Sequence, residues 1–355
     1  MATTSPNGRS AGSLFADYLA SRHQLIEDAL GEKSPRALPQ TVPQMRAELD
    51  RYLYGPLERF TASGGKRTRP ALCLLGAEAV GGSAADALSV AVAIEDFQSA
   101  ALVHDDIADK SELRRGEPCV YVTEGVGVAI NVGDLALTTV TRQVLDDASL
   151  ADATKLRVLH EVVAMEERTL EGQALDLGWA RDGRWDISVE DYLYMASHKT
   201  AYYSAAVPLA AGAICGGGTD AQVEALRSFG MSAGLAFQLQ DDLLNLVGDP
   251  ARQGKDFRSD VTEGKRTLLA VWALTHLAEG PAAELRRILS SNTTDEARLA
   301  RAVELMGESG AIDHTRAYAR RLADEAKSHL ASADFLPEAG RTLLSMADFF
   351  VERLG

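Results

Sequence analysis

Residues 84–107 carry few charges over what would be between six and seven helical turns at about 3.6 residues each, and Asp105, Asp106 and Asp109 stand at their end. A helix that is apolar on most faces must be covered on most faces. Asp105 and Asp109, four apart, share one side of that helix, with Asp106 beside them. Like charges at this spacing repel, and the apolar residues before them place the helix end in a partly closed cavity. A cation is needed there. Hard cations such as Mg2+ take oxygen ligands, commonly one or two carboxylates with phosphate oxygens completing the shell. Arg114 and Arg115 follow, and guanidinium groups grip phosphate bidentately. For this stretch alone, a solvated acidic helix end followed by a basic turn explains the residues equally well.

The rest of the chain supplies the covering helices. Apolar residues recur at helical spacing over Leu14–Leu30 and through Met45, Leu49, Leu53 and Leu57. Further helical patterns cover 71–80, 126–145, 150–177, 189–214 with a break or kink near Pro208, 221–247 and 267–277, and others run on to Arg353. No stretch reads as a convincing strand and no internal repeat is evident. The expected fold is all-α, ten or more helices, with no clear domain boundary. Residues 1–12, rich in Ser, Thr, Gly, Asn and Pro, read as a disordered tail. The net charge of −15 opposes binding to nucleic acid or anionic membrane. Cys73, Cys119 and Cys215 lack metal-ligand spacing and fit a reducing compartment. With no apolar run of membrane-spanning length and no secretory pattern, a soluble cytoplasmic protein is expected.

The run Phe237-Gln238-Leu239-Gln240-Asp241-Asp242-Leu243-Leu244-Asn245 repeats the acidic geometry near the end of another apolar helix, and a basic loop follows it too. Two such ends facing one another form a divided carboxylate site for metal ions around a diphosphate. With Gly64-Gly65-Lys66-Arg67-Thr68-Arg69-Pro70, Gly172-Gln173, Lys199-Thr200, Gly254-Lys255 and the stretch from Asp260 to Lys265, in this order, the chain resembles the trans-isoprenyl diphosphate synthases of the polyprenyl synthetase family over roughly residues 20–353. The resemblance implies the isoprenoid synthase fold, one large helical bundle around a central cavity over 13–355, most like a geranylgeranyl diphosphate synthase. It implies Mg2+, with Mn2+ as a substitute, and a homodimer. An allylic diphosphate (dimethylallyl, geranyl or farnesyl) would ionise, isopentenyl diphosphate would attack the cation, and a proton would leave.

By the same resemblance Asp105, Asp109 and Asp241 hold the metal, and Arg114, Lys199 and Lys255 hold the allylic diphosphate, with Lys265 a further candidate. Lys66, Arg69 and Arg115 take the metal-free diphosphate, with Gln98 and Gln238 as polar contacts near the isopentenyl site, and Thr200 is a further substrate contact. The bland readings are a solvated loop for Lys66, Arg67 and Arg69, a surface pair for Lys199-Thr200, and a packed residue orienting its acidic neighbours for His104. Three residues depart from the family pattern: Gln98 and Tyr121 replace frequent histidines, and Asn245 replaces the last acid of the second motif. Ala100 and Ala101, just before Asp105, are small, and Phe97 lies one turn further down as a floor. One turn is roughly 5.4 Å, about one isoprene unit. A C20 product is therefore expected over C15, with C25 or longer open. The rival readings are a class I terpene cyclase, which lacks a second diphosphate site, and a non-catalytic partner subunit, which would show eroded aspartates or cations. The loop from Arg252 to Lys265 is expected to close over the bound diphosphate.

Overall fold

The computed structural model describes residues 12–249 and 257–353. Helix α1 (Ser13–Lys33) is followed by α2 (Pro43–Leu49), a π-helical turn (Asp50–Tyr54) and α3 (Gly55–Ala62), and then by α4 (Thr68–Ala79) and α5 (Ala84–Ala108). After a small hairpin come α6 (Val120–Glu124), α7 (Val126–Leu145), α8 (Asp152–Arg181) and α9 (Val189–Ala196). A π-helical segment (Ser197–Ala206) joins α9 to α10 (Val207–Cys215), and α11 (Asp220–Val247) follows. Shorter helices from Ser259 lead to the two C-terminal ones, Ala311–His329 and Pro337–Glu352.

Helix α5 is the central post. Every residue from Ser89 to Ala100 is buried, the polar Glu95, Asp96, Gln98 and Ser99 included. It packs on α4 and α7, α4 packs on α10, and α11 packs on the π-helical segment and on Ala311–His329. Its start is set by a reciprocal cap in which the Ser83 amide donates to Asp86 Oδ2 at 2.7 Å. Thr219 and Gln222 cap α11 in the same way. Both long helices end at one end of the bundle, so Asp105 and Asp241 line the same cavity.

Pro208 does not break its helix. Its ring crowds the carbonyl four residues back and it has no N–H to give, and the turns before it are widened into the π-helical stretch Ser197–Ala206. That stretch places Lys199, Thr200 and Tyr203 in one cavity and Ser204 in the next. Gly172 lets α8 approach it, because a Cβ there would lie 2.2 Å from the Lys199 amide nitrogen.

The only strands among the described residues are Leu113–Arg114 and Glu117–Pro118, a two-residue antiparallel pair. Arg115 (φ 54°) and Gly116 (φ 85°) make its turn, both at positive φ. A primed two-residue turn needs that conformation twice, and only the glycine adopts it without strain. No described helix is long and apolar enough to cross a membrane.

Candidate active site

Two cavities of opposite character meet at the end of the bundle. The acidic one, about 310 Å³, is lined by Asp105, Asp176, Lys199, Asp241, Asp260 and Lys265 among others. Asp105 Oδ1 accepts from Gln173 Nε2 at 3.0 Å, and Lys199 pairs with Asp176. Lys265 Nζ lies 2.8 Å from Glu263, 3.7 Å from Asp260 and 3.8 Å from Asp109. Burial opposes the charge on this lysine, yet the acids around it hold its pKa well above the usual lysine value. Burial and then Asp105 push Asp109 up to about 6, with Lys265 working against both. Burial likewise lifts Asp242 to about 7, and Asp260 adds to the lift. These carboxylates are held at a local excess of negative charge.

The basic cavity is smaller, about 130 Å³, and is lined by Lys66, Arg69, Gln98, Arg115, Phe237 and Arg353 among others. Arg69 Nη2 donates to Ser204 Oγ at 2.8 Å and to Tyr203 Oη at 3.2 Å, while its Nε is buried without a partner. Gln98 Oε1 is also buried and unpartnered. Arg115 stands over Phe60 at 5.6 Å, and burial lowers its pKa from the usual arginine value. Gln98 Oε1, an acceptor, calls for a donor, whereas Arg69 Nε is a buried donor without a partner, which is costly, in a cavity already rich in cations. An anion with several acceptor oxygens fits that lining.

Most predicted residues come together, but with altered partners. Arg67, one of the three cations after Gly64-Gly65, lines the basic cavity with Lys66 and Arg69 but is buried and bonded to Glu27 and, at 2.6 Å, to Glu95, so it braces the fold. Arg114 holds Asp106. Gln238, expected near the isopentenyl site, instead donates to Asp242 at 2.7 Å in the acidic cavity, and Phe237 lines the basic one. The reversal follows from adjacent positions on one helix facing different ways. Asn245 donates to Ser259 Oγ and accepts from the Asp260 amide, which ties down the following loop. His104 packs on α7 near Gly133, with its Nε2 3.3 Å from the Ile130 carbonyl, and makes no bond to Asp105 or Asp106. Ala100 is buried in a cluster with Leu57, Phe60 and Val132, whereas Ala101 is only partly buried. Phe97 is buried and meets Tyr203 edge-on at 5.6 Å. Lys255 and most of the 252–265 loop before Phe257 lie outside the described residues.

Sequence reading missed Asp176 and Arg353. Asp176 lies three residues after Gln173, on the same side of α8, which was the available signal. Arg353 is far from either motif in sequence and carried none.

Among the described residues no three His, Cys, Asp or Glu side chains converge tightly enough to enclose a metal ion. The donor set nonetheless suits a hard cation. Asp105, Asp109 and Asp241 are all-oxygen ligands on two helices, and Mg2+ characteristically takes one or two carboxylates plus substrate phosphates rather than a complete protein cage.

An all-α bundle with an acidic cavity beside a basic one is thus the frame of the site. A model of the Polyprenyl synthetase family matches residues 50–306. The short chain isoprenyl diphosphate synthase of Methanothermobacter thermautotrophicus is 37% identical, over 95% of this chain and 98% of its own. The geranylfarnesyl diphosphate synthase of Natronomonas pharaonis is 34% identical, over 94% and 96%. A crystal structure of geranylgeranyl pyrophosphate synthase from Corynebacterium glutamicum, complexed with isoprenyl diphosphate and magnesium, superposes with a TM-score of 0.81 at 29% identity, covering 97% of each chain. The chain belongs to the polyprenyl synthetase family and is a prenyltransferase of the isoprenyl diphosphate synthase kind.

Proposed function

We propose that this enzyme condenses isopentenyl diphosphate with dimethylallyl, geranyl or farnesyl diphosphate and releases geranylgeranyl diphosphate. The observation that carries the reading is the second, basic cavity beside the acidic one. A cyclase acting on one diphosphate has no use for it, and a regulatory subunit has no use for both sites intact.

Asp105, Asp109 and Asp241 would hold Mg2+, whose chemistry is to neutralise charge on a departing diphosphate. Lys199 and Lys265 stand on the same cavity as fixed point charges for the allylic diphosphate, with Lys255 as a third. Arg114 reaches that substrate only by letting go of Asp106. Lys66, Arg69 and Arg115 hold the second diphosphate and orient the double bond of isopentenyl diphosphate toward the nascent cation. Closing the 252–265 loop would exclude water from that cation.

Phe97 lies eight residues, about 12 Å of helix, below Asp105. Braced by Tyr203, it supports a C20 product, and Ala101 leaves the intervening turn open. A dimer is supported by α8, where Leu156 (61% exposed), Val163 (50%), Leu170 (68%) and Leu177 (39%) recur every seventh residue on an uncovered apolar strip. Incubation with geranylgeranyl diphosphate and Mg2+ alone tests the reading against cyclisation. Recovery of the unchanged diphosphate is expected, and a hydrocarbon product would overturn it.

A further inference from the structure

One side chain links the two cavities. Arg353 lines the basic cavity, yet its Nη2 donates to Asp241 Oδ1 in the acidic one at 2.5 Å. The same nitrogen donates to the Phe237 carbonyl at 3.0 Å, and the guanidinium lies 3.9 Å over the Phe237 ring. Gln240 fixes the backbone by donating to the Arg353 carbonyl at 3.0 Å. One turn of α11 therefore holds this terminal arginine by its head and its main chain. Lys66 and Arg69 act on Asp241 from the same direction.

An arginine and a metal ion on one carboxylate compete for its negative charge and repel one another. We propose that Arg353 is a positioning residue that couples the two diphosphate sites: a metal ion displaces it from Asp241, and the released guanidinium joins Lys66, Arg69 and Arg115 around the metal-free diphosphate. This rests on the assignment of the two cavities made above. Arg353 need only turn about its anchored main chain, because it already lines the basic cavity. Filling the acidic site thus adds a planar, five-donor group to the basic one. Reciprocity requires that isopentenyl diphosphate equally strengthen metal and allylic binding. The order that follows suits the chemistry, since the nucleophile is held most tightly once the electrophile is in place.

Two binding measurements test this without turnover. The first titrates Mn2+ into enzyme free of diphosphate, followed by electron paramagnetic resonance. The second measures isopentenyl diphosphate affinity by calorimetry, with and without Mg2+ and an unreactive thio-analogue of dimethylallyl diphosphate. Wild type should bind isopentenyl diphosphate about fivefold or more tightly when the acidic site is filled, the usual lower range of such coupling. Arg353→Gln should bind Mn2+ more tightly than wild type and show under twofold coupling. Arg353→Lys, which keeps the charge, should restore competition for Mn2+. Unchanged Mn2+ affinity in Arg353→Gln, or coupling that survives the substitution, overturns the proposal. Melting temperatures confirm that both variants fold. Should wild type bind no isopentenyl diphosphate, the functional assignment fails, while the Mn2+ comparison still decides the role of Arg353.

Discussion

Arg114 donates to Asp106 Oδ1 from both Nε, at 2.9 Å, and Nη2, at 2.5 Å, and the Asp106 side chain is 1% exposed. The middle acid of the first motif is thus spent on holding the hairpin turn against α5, while Asp105 lines the acidic cavity and Asp109 approaches Lys265 at 3.8 Å. Asp106→Ala should destabilise the protein by about 3 kcal/mol, the usual cost of leaving a largely buried charge without its partner. Asp105→Ala should leave stability within about 1 kcal/mol while lowering turnover by about 10²-fold or more. Urea unfolding midpoints and product formation, measured on both variants, separate the two roles.

Phe97→Ala should lengthen the product beyond C20, because it removes the ring that faces Tyr203 two turns below Asp105. The buried ring is also worth about 3 kcal/mol of stability, so products are best sized at low temperature. Ala101→Phe should act in the opposite sense and shift the product toward C15. Unchanged chain length in Phe97→Ala would show that the floor lies elsewhere.

Asp96 provides a pH signature remote from the site. Its carboxyl is buried, with only Gln143 Nε2 near it at 3.4 Å, and burial raises its pKa to about 8. A carboxyl raised on folding stabilises the protein when both states are protonated, and that contribution is lost as pH rises from the unfolded value through the folded one. Asp96→Asn should therefore gain stability over wild type from about pH 4 upward, by at most about 1.4 kcal/mol per pH unit, and the gap should level off above about pH 8. Denaturant midpoints across that range check the sign.

Leu170→Glu places a charge in the middle of the uncovered strip on α8. The mass measured by light scattering should fall from dimer to monomer, with helix content retained. A monomeric wild type would remove the strip's assigned purpose.

Local chemistry made the fold and both acidic motifs legible. The run of few charges before Asp105 read as a buried post. What sequence could not show was partnership across the fold. Arg67 and Arg69 are two residues apart, yet one is bound by the carboxylates of Glu27 and Glu95 and the other by the hydroxyls of Ser204 and Tyr203, with its Nε unpartnered. The division of Phe237 and Gln238 between the two cavities, and the reach of Arg353 to Asp241, depend on how α11 is rotated against its neighbours. The π-helical widening before Pro208 looked like a kink because a proline signals strain without saying how it will be absorbed.

The most direct test of the central claim is to incubate the enzyme with isopentenyl diphosphate, Mg2+ and each of dimethylallyl, geranyl and farnesyl diphosphate, and to size the alcohols after hydrolysis. All three primers should converge on C20. Failure to elongate any primer would contradict the assignment as a condensing enzyme, and convergence on C15 or C25 would contradict the ruler built from Ala101 and Phe97.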